Sequence, residues 1–168
     1  PNVALYGPYA DLLDAPAARQ KEIADPGMVA INLSLKELSQ ASFIPHCRSV
    51  FEKHGVSPSR VELEITETTL MLDAERTLPL LDELRAMGVH LSIDDFGTGY
   101  SSLSALQQFP IGTLKIDQSF VRNAATDPDD ATIVRTIIEM GRSLGLQVLA
   151  EGIETEEQRD FLLQSGCQ

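Results

Sequence analysis

From about residue 29 the chain alternates between short apolar stretches of period two and longer stretches with apolar residues three and four apart. VAINL (29–33), VELEIT (61–66), LSIDD (91–95), TLKID (113–117) and QVLAEGI (147–153) are short and rich in β-branched residues, and read as strands. Each is followed by a segment of helical period. Ahead of the fifth strand, Ile133, Ile137, Met140 and Leu144 predict one apolar helix face, started by Asp127-Pro128-Asp129 and ended by Gly145. Leu80, Leu81, Leu84 and Met87 predict another, closed by Gly88, with Pro79 in its first turn or at a kink. Residues 7–24 read as a further helix before the Asp25-Pro26-Gly27 break. No repeat, low-complexity stretch or linker interrupts residues 1–168, so one domain is expected.

Strand-helix-strand units imply parallel strands, in an open doubly wound sheet or a (β/α)8 barrel. The polar positions favour the barrel. Asn32, Glu64, Asp94 with Asp95, Lys115 with Asp117, and Glu151 fall at or near the C-terminal ends of five successive strands, the rim where barrel active sites form. In VELEIT, Glu62, Glu64 and Thr66 share a face opposite Leu63 and Ile65. In TLKID, Thr113, Lys115 and Asp117 share a face opposite Leu114 and Ile116. One polar residue at a strand end is an ordinary surface group or cap, but five in succession point to a shared site.

The stretch HLSIDDFGTGYSS (90–102) sharpens the chemistry. Adjacent aspartates repel each other and glycines cost backbone entropy; a bound cation offsets both. Carboxylate and amide oxygens are hard ligands suited to Mg2+ or Mn2+. His46, His54 and His90 are scattered, without zinc spacing, and read as structural. Two divalent ions roughly 3.5–4 Å apart would activate water and stabilise charge on a phosphoryl group. One aspartate of the Asp94-Asp95 pair would bridge them with the other beside it, Lys115 would offset remaining charge, and Glu151 would orient or deprotonate the water. Asp95-Phe96-Gly97 matches a kinase triplet, but no kinase catalytic or ATP-binding loop accompanies it, and no Walker A sequence occurs.

Composition narrows the classes. With 43% hydrophobic and 23% charged residues, the 168-residue chain has the balance of a globular domain. Its net charge of −12 argues against DNA or RNA as a partner and leaves room for a phosphate bridged to carboxylates by metal. Cys47 and Cys167 form no CxxC pair and read as buried thiols in a reducing cytosol. No apolar run approaches the roughly 20 residues of a membrane span, and no signal peptide precedes the first helix-like segment. A cytoplasmic domain is expected, in a parent protein that could be membrane-anchored.

INLS (31–34), ELEITET (62–68), IDDFGTGYSSL (93–103), LKIDQSFV (114–121) and AEGIET (150–155) together resemble the EAL family of cyclic-di-GMP phosphodiesterases. The resemblance implies a TIM-like barrel and hydrolysis of cyclic di-GMP to linear pGpG with two divalent ions. It makes Asn32, Glu64 and Asp94 metal ligands, with Asp94 bridging and Asp95 serving the second ion. Glu151 corresponds to the general base, with Lys115 and Asp117 beside it at the water and second ion. Glu67 corresponds to the anchor of the loop from Phe96 to Ser102, which with Gly97 and Gly99 couples metal binding to dimerisation. Glu154 would stabilise a neighbouring loop. The implied partners are cyclic di-GMP, a second copy of the chain, and sensor or GGDEF-type modules.

Departures accompany the match. The Glu-Ala-Leu signature, whose Glu is a metal ligand in the family, does not occur in this sequence. The likeness begins in a helix before the third barrel strand, and Gly166-Cys167-Gln168 stands where the family continues through Gln-Gly-Tyr. About five strands cannot close an eight-strand barrel of about 250 residues, so an incomplete barrel, a piece of a larger chain, is expected. Two other functions compete: a catalytically impaired module that binds cyclic di-GMP and signals, and an enolase-like enzyme using Lys115 in proton abstraction.

Overall fold

The computed structural model describes residues 27–99 and 103–167; the helix expected over 7–24 lies outside the described residues. In chain order the elements are β1 (Val29–Asn32), α1 (Leu35–Leu38), α2 (Phe43–His54), β2 (Val61–Thr66), α3 (Glu67–Leu72), α4 (Ala74–Ala86), β3 (His90–Phe96), α5 (Leu103–Leu106), β4 (Thr113–Ile116), α6 (Gln118–Asn123), α7 (Pro128–Ser143), β5 (Gln147–Ala150) and α8 (Glu156–Ser165).

The five strands form one parallel sheet in the order β1-β2-β3-β4-β5. A doubly wound sheet reverses its strand order at a switch point. Here each strand lies beside its predecessor, as in the wall of a barrel, and that removes the doubly wound alternative. Ladder register places Asn32, Glu64, Ser92, Thr113 and Gln147 in one row across the sheet.

One face of this wall is the core. Leu63, Ile65, Leu91, Ile93, Leu114 and Ile116 are buried in a cluster with Leu81 and Leu84 of α4 and Val134, Ile137 and Ile138 of α7. Each fully buried aliphatic side chain contributes about 1.5–3 kcal/mol relative to exposure.

The expected face of α7 holds at Ile137 and, half-buried against the core, at Met140 and Leu144, but departs at Ile133. Ala131, Val134, Ile137, Ile138 and Gly141 are buried, while Ile133 is 37% exposed. The cause is Gly141: a Cβ there would overlap the Val148 side chain, so the helix approaches the sheet most closely along the 134–138–141 line. The start is as read, with Asp127 accepting the amides of Asp129 and Asp130 at 2.8 and 3.2 Å and Pro128 in the first turn.

Pro79 is the sixth residue of α4, inside the helix rather than in its first turn. It has no amide for the carbonyl of Glu75, and its own position is exposed. Strand ends also shift. β4 stops at Ile116 because Asp117 caps α6, accepting the Ser119 amide at 2.8 Å. β5 stops at Ala150, two residues before Gly152 turns the backbone with φ 72°. Phe96 belongs to β3, buried and paired with Ile116, so the loop after it begins at Gly97.

Both cysteines are buried. Burial pushes the Cys47 thiol up to about 12, and Cys167 Sγ lies 3.3 Å from the Val148 carbonyl it donates to. His46 and His54 lie in α2, and His90 opens β3. Among the described residues no helix is long and apolar enough to cross a membrane.

Candidate active site

The paired aspartates sit on a bulge. Between β3 and β4 the register jumps from Ile93↔Leu114 to Phe96↔Ile116, giving β3 one extra residue. Strict alternation would turn Asp95 towards the helices with Ile93. Instead Asp95 adopts φ 53°, a left-handed conformation that aspartate tolerates better than most residues. Phe96 takes the core side, and the Asp95 carboxyl pairs with that of Asp117. Bulges re-aim side chains in this way beside functional sites. Asp94 Oδ1 accepts the Asp95 amide at 3.0 Å.

Lys115 bridges two acids on neighbouring strands. Its Nζ donates to Glu64 Oε1 and, at 2.6 Å, to Glu151 Oε1. The Lys115 and Glu64 side chains are 9% and 10% exposed, and that of Glu151 is 40% exposed. Burial by itself pulls the Lys115 ammonium down, but bonds to Glu151 and Glu64 outweigh it and hold it above its ordinary value. Burial raises Glu64, against the opposing pull of Lys115. Asp94 is raised by burial, with Glu151 and Asp117 adding to the effect. Burial, then the charge of Asp94 and the contact with Asp117, push Asp95 up to about 6. Asp117 feels burial as well, but its bonds to the Ser119 hydroxyl and amide hold it low.

Glu64 and Glu151 thus share the Lys115 ammonium, Asp94 interacts with it electrostatically, and Asp95 and Asp117 lie beside Asp94. Asn32, exposed at the end of β1, stands opposite Glu64 in the ladder. Among the described residues no three His, Cys, Asp or Glu side chains close on one point, and Glu64 and Glu151 are both turned onto Lys115. In donor type and charge the set fits divalent cations: hard oxygens and an excess of negative charge, which adds to burial in raising Glu64, Asp94 and Asp95.

Glu67 sits behind the bulge as the first residue of α3, 2% exposed. Its Oε2 accepts the amides of Gly97 at 2.9 Å and Gly99 at 3.3 Å. A carboxylate suits this position, at a helix N-terminus. Both glycines are required by packing. A Cβ on Gly97 (φ 103°) would lie 2.9 Å from the Phe120 ring, and one on Gly99 would lie 2.9 Å from Glu67 Oε1. Tyr100, Ser101 and Ser102 lie outside the described residues.

Glu154 has an exposed side chain; its amide donates to Gln158 Oε1 at 2.7 Å. Gln158 was not among the expected residues, although the Thr155-x-x-Gln158 spacing is a capping-box pattern that could have identified it.

These features define a class: a barrel wall whose strand ends carry a group of acids around a buried lysine. The chain belongs to the EAL domain family, whose sequence model matches residues 11–168. The bifunctional diguanylate cyclase/cyclic di-GMP phosphodiesterase MucR of Pseudomonas aeruginosa is 48% identical over 139 residues, 83% of this chain and 20% of MucR. The chain spans about a fifth of the length of the curated relatives it matches. The structure of PaMucR phosphodiesterase in complex with c-di-GMP aligns with TM-score 0.86 and 41% identity, covering 95% of this chain and 65% of that one. BlrP1 of Klebsiella pneumoniae, in a manganese/cy-diGMP complex, aligns with TM-score 0.82 and 31% identity, covering 95% and 42%. EAL domains are TIM barrels, and the five-stranded sheet is a part of that barrel, incomplete as a closed one.

Proposed function

We propose that this chain hydrolyses cyclic di-GMP to linear pGpG. The observation that carries the reading is the Lys115 bridge between Glu64 and Glu151, with Asp94, Asp95 and Asp117 beside it at the same strand ends. The names of MucR and the PaMucR complex support the substrate, and the manganese complex of BlrP1 supports a divalent ion.

Asn32, Glu64, Asp94, Asp95 and Asp117 would hold two ions, Mg2+ or Mn2+, with Asp94 shared between them. Such ions supply Lewis acidity at phosphoryl oxygens and lower the pKa of water. Glu151 is exposed enough to meet solvent, and its bond to Lys115 restricts its orientation, as a general base requires. It takes the proton of the attacking water; the water oxygen bonds to phosphorus, one phosphodiester P–O bond breaks, and the departing sugar oxygen gains a proton. Lys115 steadies Glu151 and offsets charge. Glu67, through Gly97 and Gly99, fixes the loop behind Asp95, and Glu154 serves the turn after Glu151.

We place the domain in the cytoplasm, as a homodimer, within a larger signalling protein that carries sensor or GGDEF-type modules. The cyclase named in MucR and the small share of MucR that is matched support the multidomain setting. The test is the intact protein with Mn2+ and cyclic di-GMP, followed for pGpG. Turnover is expected; tight nucleotide binding without pGpG would replace this reading with the binding-module one.

A further inference from the structure

We infer that Gln158 is a positioning residue, which fixes the turn carrying Glu151 against the helix that begins at Asp117. For its catalytic consequence the inference rests on the phosphodiesterase reading above.

Glu151 leaves β5 on a turn that runs to α8, and two contacts hold that turn to α6. Gly152, at φ 72°, lies against Gln118 so closely that a Cβ would come within 2.8 Å of the Gln118 Cβ. Further along, the amides of Glu154 and Thr155 both donate to Gln158 Oε1, at 2.7 and 3.0 Å. Nε2 of the same side chain donates to the Arg122 carbonyl at 2.9 Å, in the last turn of α6. Gln158 is 6% exposed. A helix cap needs only the bond to Thr155, its N-cap residue. The second amide and the bond to Arg122 go beyond that need and connect elements distant in sequence.

The result is a closed bracket. Asp117 caps α6 at one end, Arg122 lies at the other, and Gln158 ties Arg122 to the turn that follows Glu151. The candidate base and the candidate ligand are thereby held in one frame. A buried amide with all these bonds is costly to disturb, and displacement of about 1 Å at a reacting group can cost about 100-fold in rate.

The test uses the intact protein with Mn2+ and cyclic di-GMP. Gln158→Glu keeps acceptor oxygens for Glu154 and Thr155 but sets an oxygen against the Arg122 carbonyl. Gly152→Ala presses the other end of the turn onto Gln118. Each variant is expected to lower kcat about 10–100-fold with KM nearly unchanged, and to speed amide hydrogen exchange over residues 151–155. Unchanged kcat beside faster exchange overturns the inference, as does a kcat loss fully accounted for by a smaller folded fraction. If the wild type makes no pGpG, the phosphodiesterase reading fails, and the exchange data still decide: faster exchange in Gln158→Glu supports the bracket and unchanged exchange overturns it.

Discussion

Leu63, Glu64 and Ile65 are consecutive residues of one strand, yet they belong to two different environments. Leu63 and Ile65 are 2% and 0% exposed among aliphatic neighbours from α4 and α7. Glu64 points the other way, buried as well, but against the Lys115 ammonium. The same alternation recurs in β4, where Leu114 and Ile116 face the core and Lys115 faces the acids. Burial is therefore not what separates the faces. One face gains free energy by leaving water, whereas the other incurs a desolvation cost and recovers it through pairing. The first sets the fold and the second gathers the charges.

The largest effect is expected at the polar face. Glu151→Gln should lower turnover by about 100–10,000-fold, measured as pGpG release, with cyclic di-GMP affinity largely retained. An active variant would remove Glu151 from the base role. Next comes the core face. Ile65→Ala, at a fully buried position, should cost about 2–5 kcal/mol of unfolding free energy in urea titration, with Mn2+ affinity of the folded molecules unchanged. Lost Mn2+ affinity at undiminished stability would mean that the two faces are not separable.

A smaller effect is expected at Glu67, where the faces meet. Glu67→Gln removes the charge that accepts the Gly97 and Gly99 amides, at a cost of about 1–3 kcal/mol. Hydrogen exchange at those two amides should quicken; unchanged exchange would show that the anchor is idle.

The smallest expected effect is that of pH. Asp95 titrates at about 6 in the folded protein, against about 3.9 when unfolded, so the native state binds this proton more tightly. Its contribution to stability is present at low pH and is lost as pH rises through about 4 to 6. The raised Glu64 and Asp94 act in the same direction. Asp117, held low, acts oppositely, losing its contribution as pH falls below the ordinary carboxylate range. A cation held by Asp95, as proposed, would have to displace this proton, so the rise in Tm caused by Mn2+ should grow between about pH 5 and 7. A Tm increment independent of pH would contradict this.

Much of this architecture was legible in the chain. Alternation in VELEIT gives β2 and its two faces, since a half-polar strand of period two has few other ways to fold. The strand-end position of Asn32, Glu64, Lys115 and Glu151 is legible for the same reason. The bulge at Asp95 was not, because strict period two assigns Asp95 to the core side, and only the ladder with β4 reveals the extra residue. The phase of α7 was misread at Ile133, because the missing Cβ of Gly141 decides the approach and hydrophobicity does not record it. Pro79 is tolerated within α4 at an exposed position, a tertiary circumstance. Gln158 escaped because its bond to Arg122 joins residues 36 positions apart, although its cap pattern is local.

In the proposed mechanism, oxygen ligands from neighbouring strands hold paired cations, with Asp94 shared between them. Mn2+ titration of the intact protein beside Asp94→Asn tests it most directly. Two ions bound per chain are expected, with an affinity weakened at least about tenfold in the variant, since even indirect partners of a metal site act on that scale. Equal stoichiometry and affinity in both proteins would contradict it.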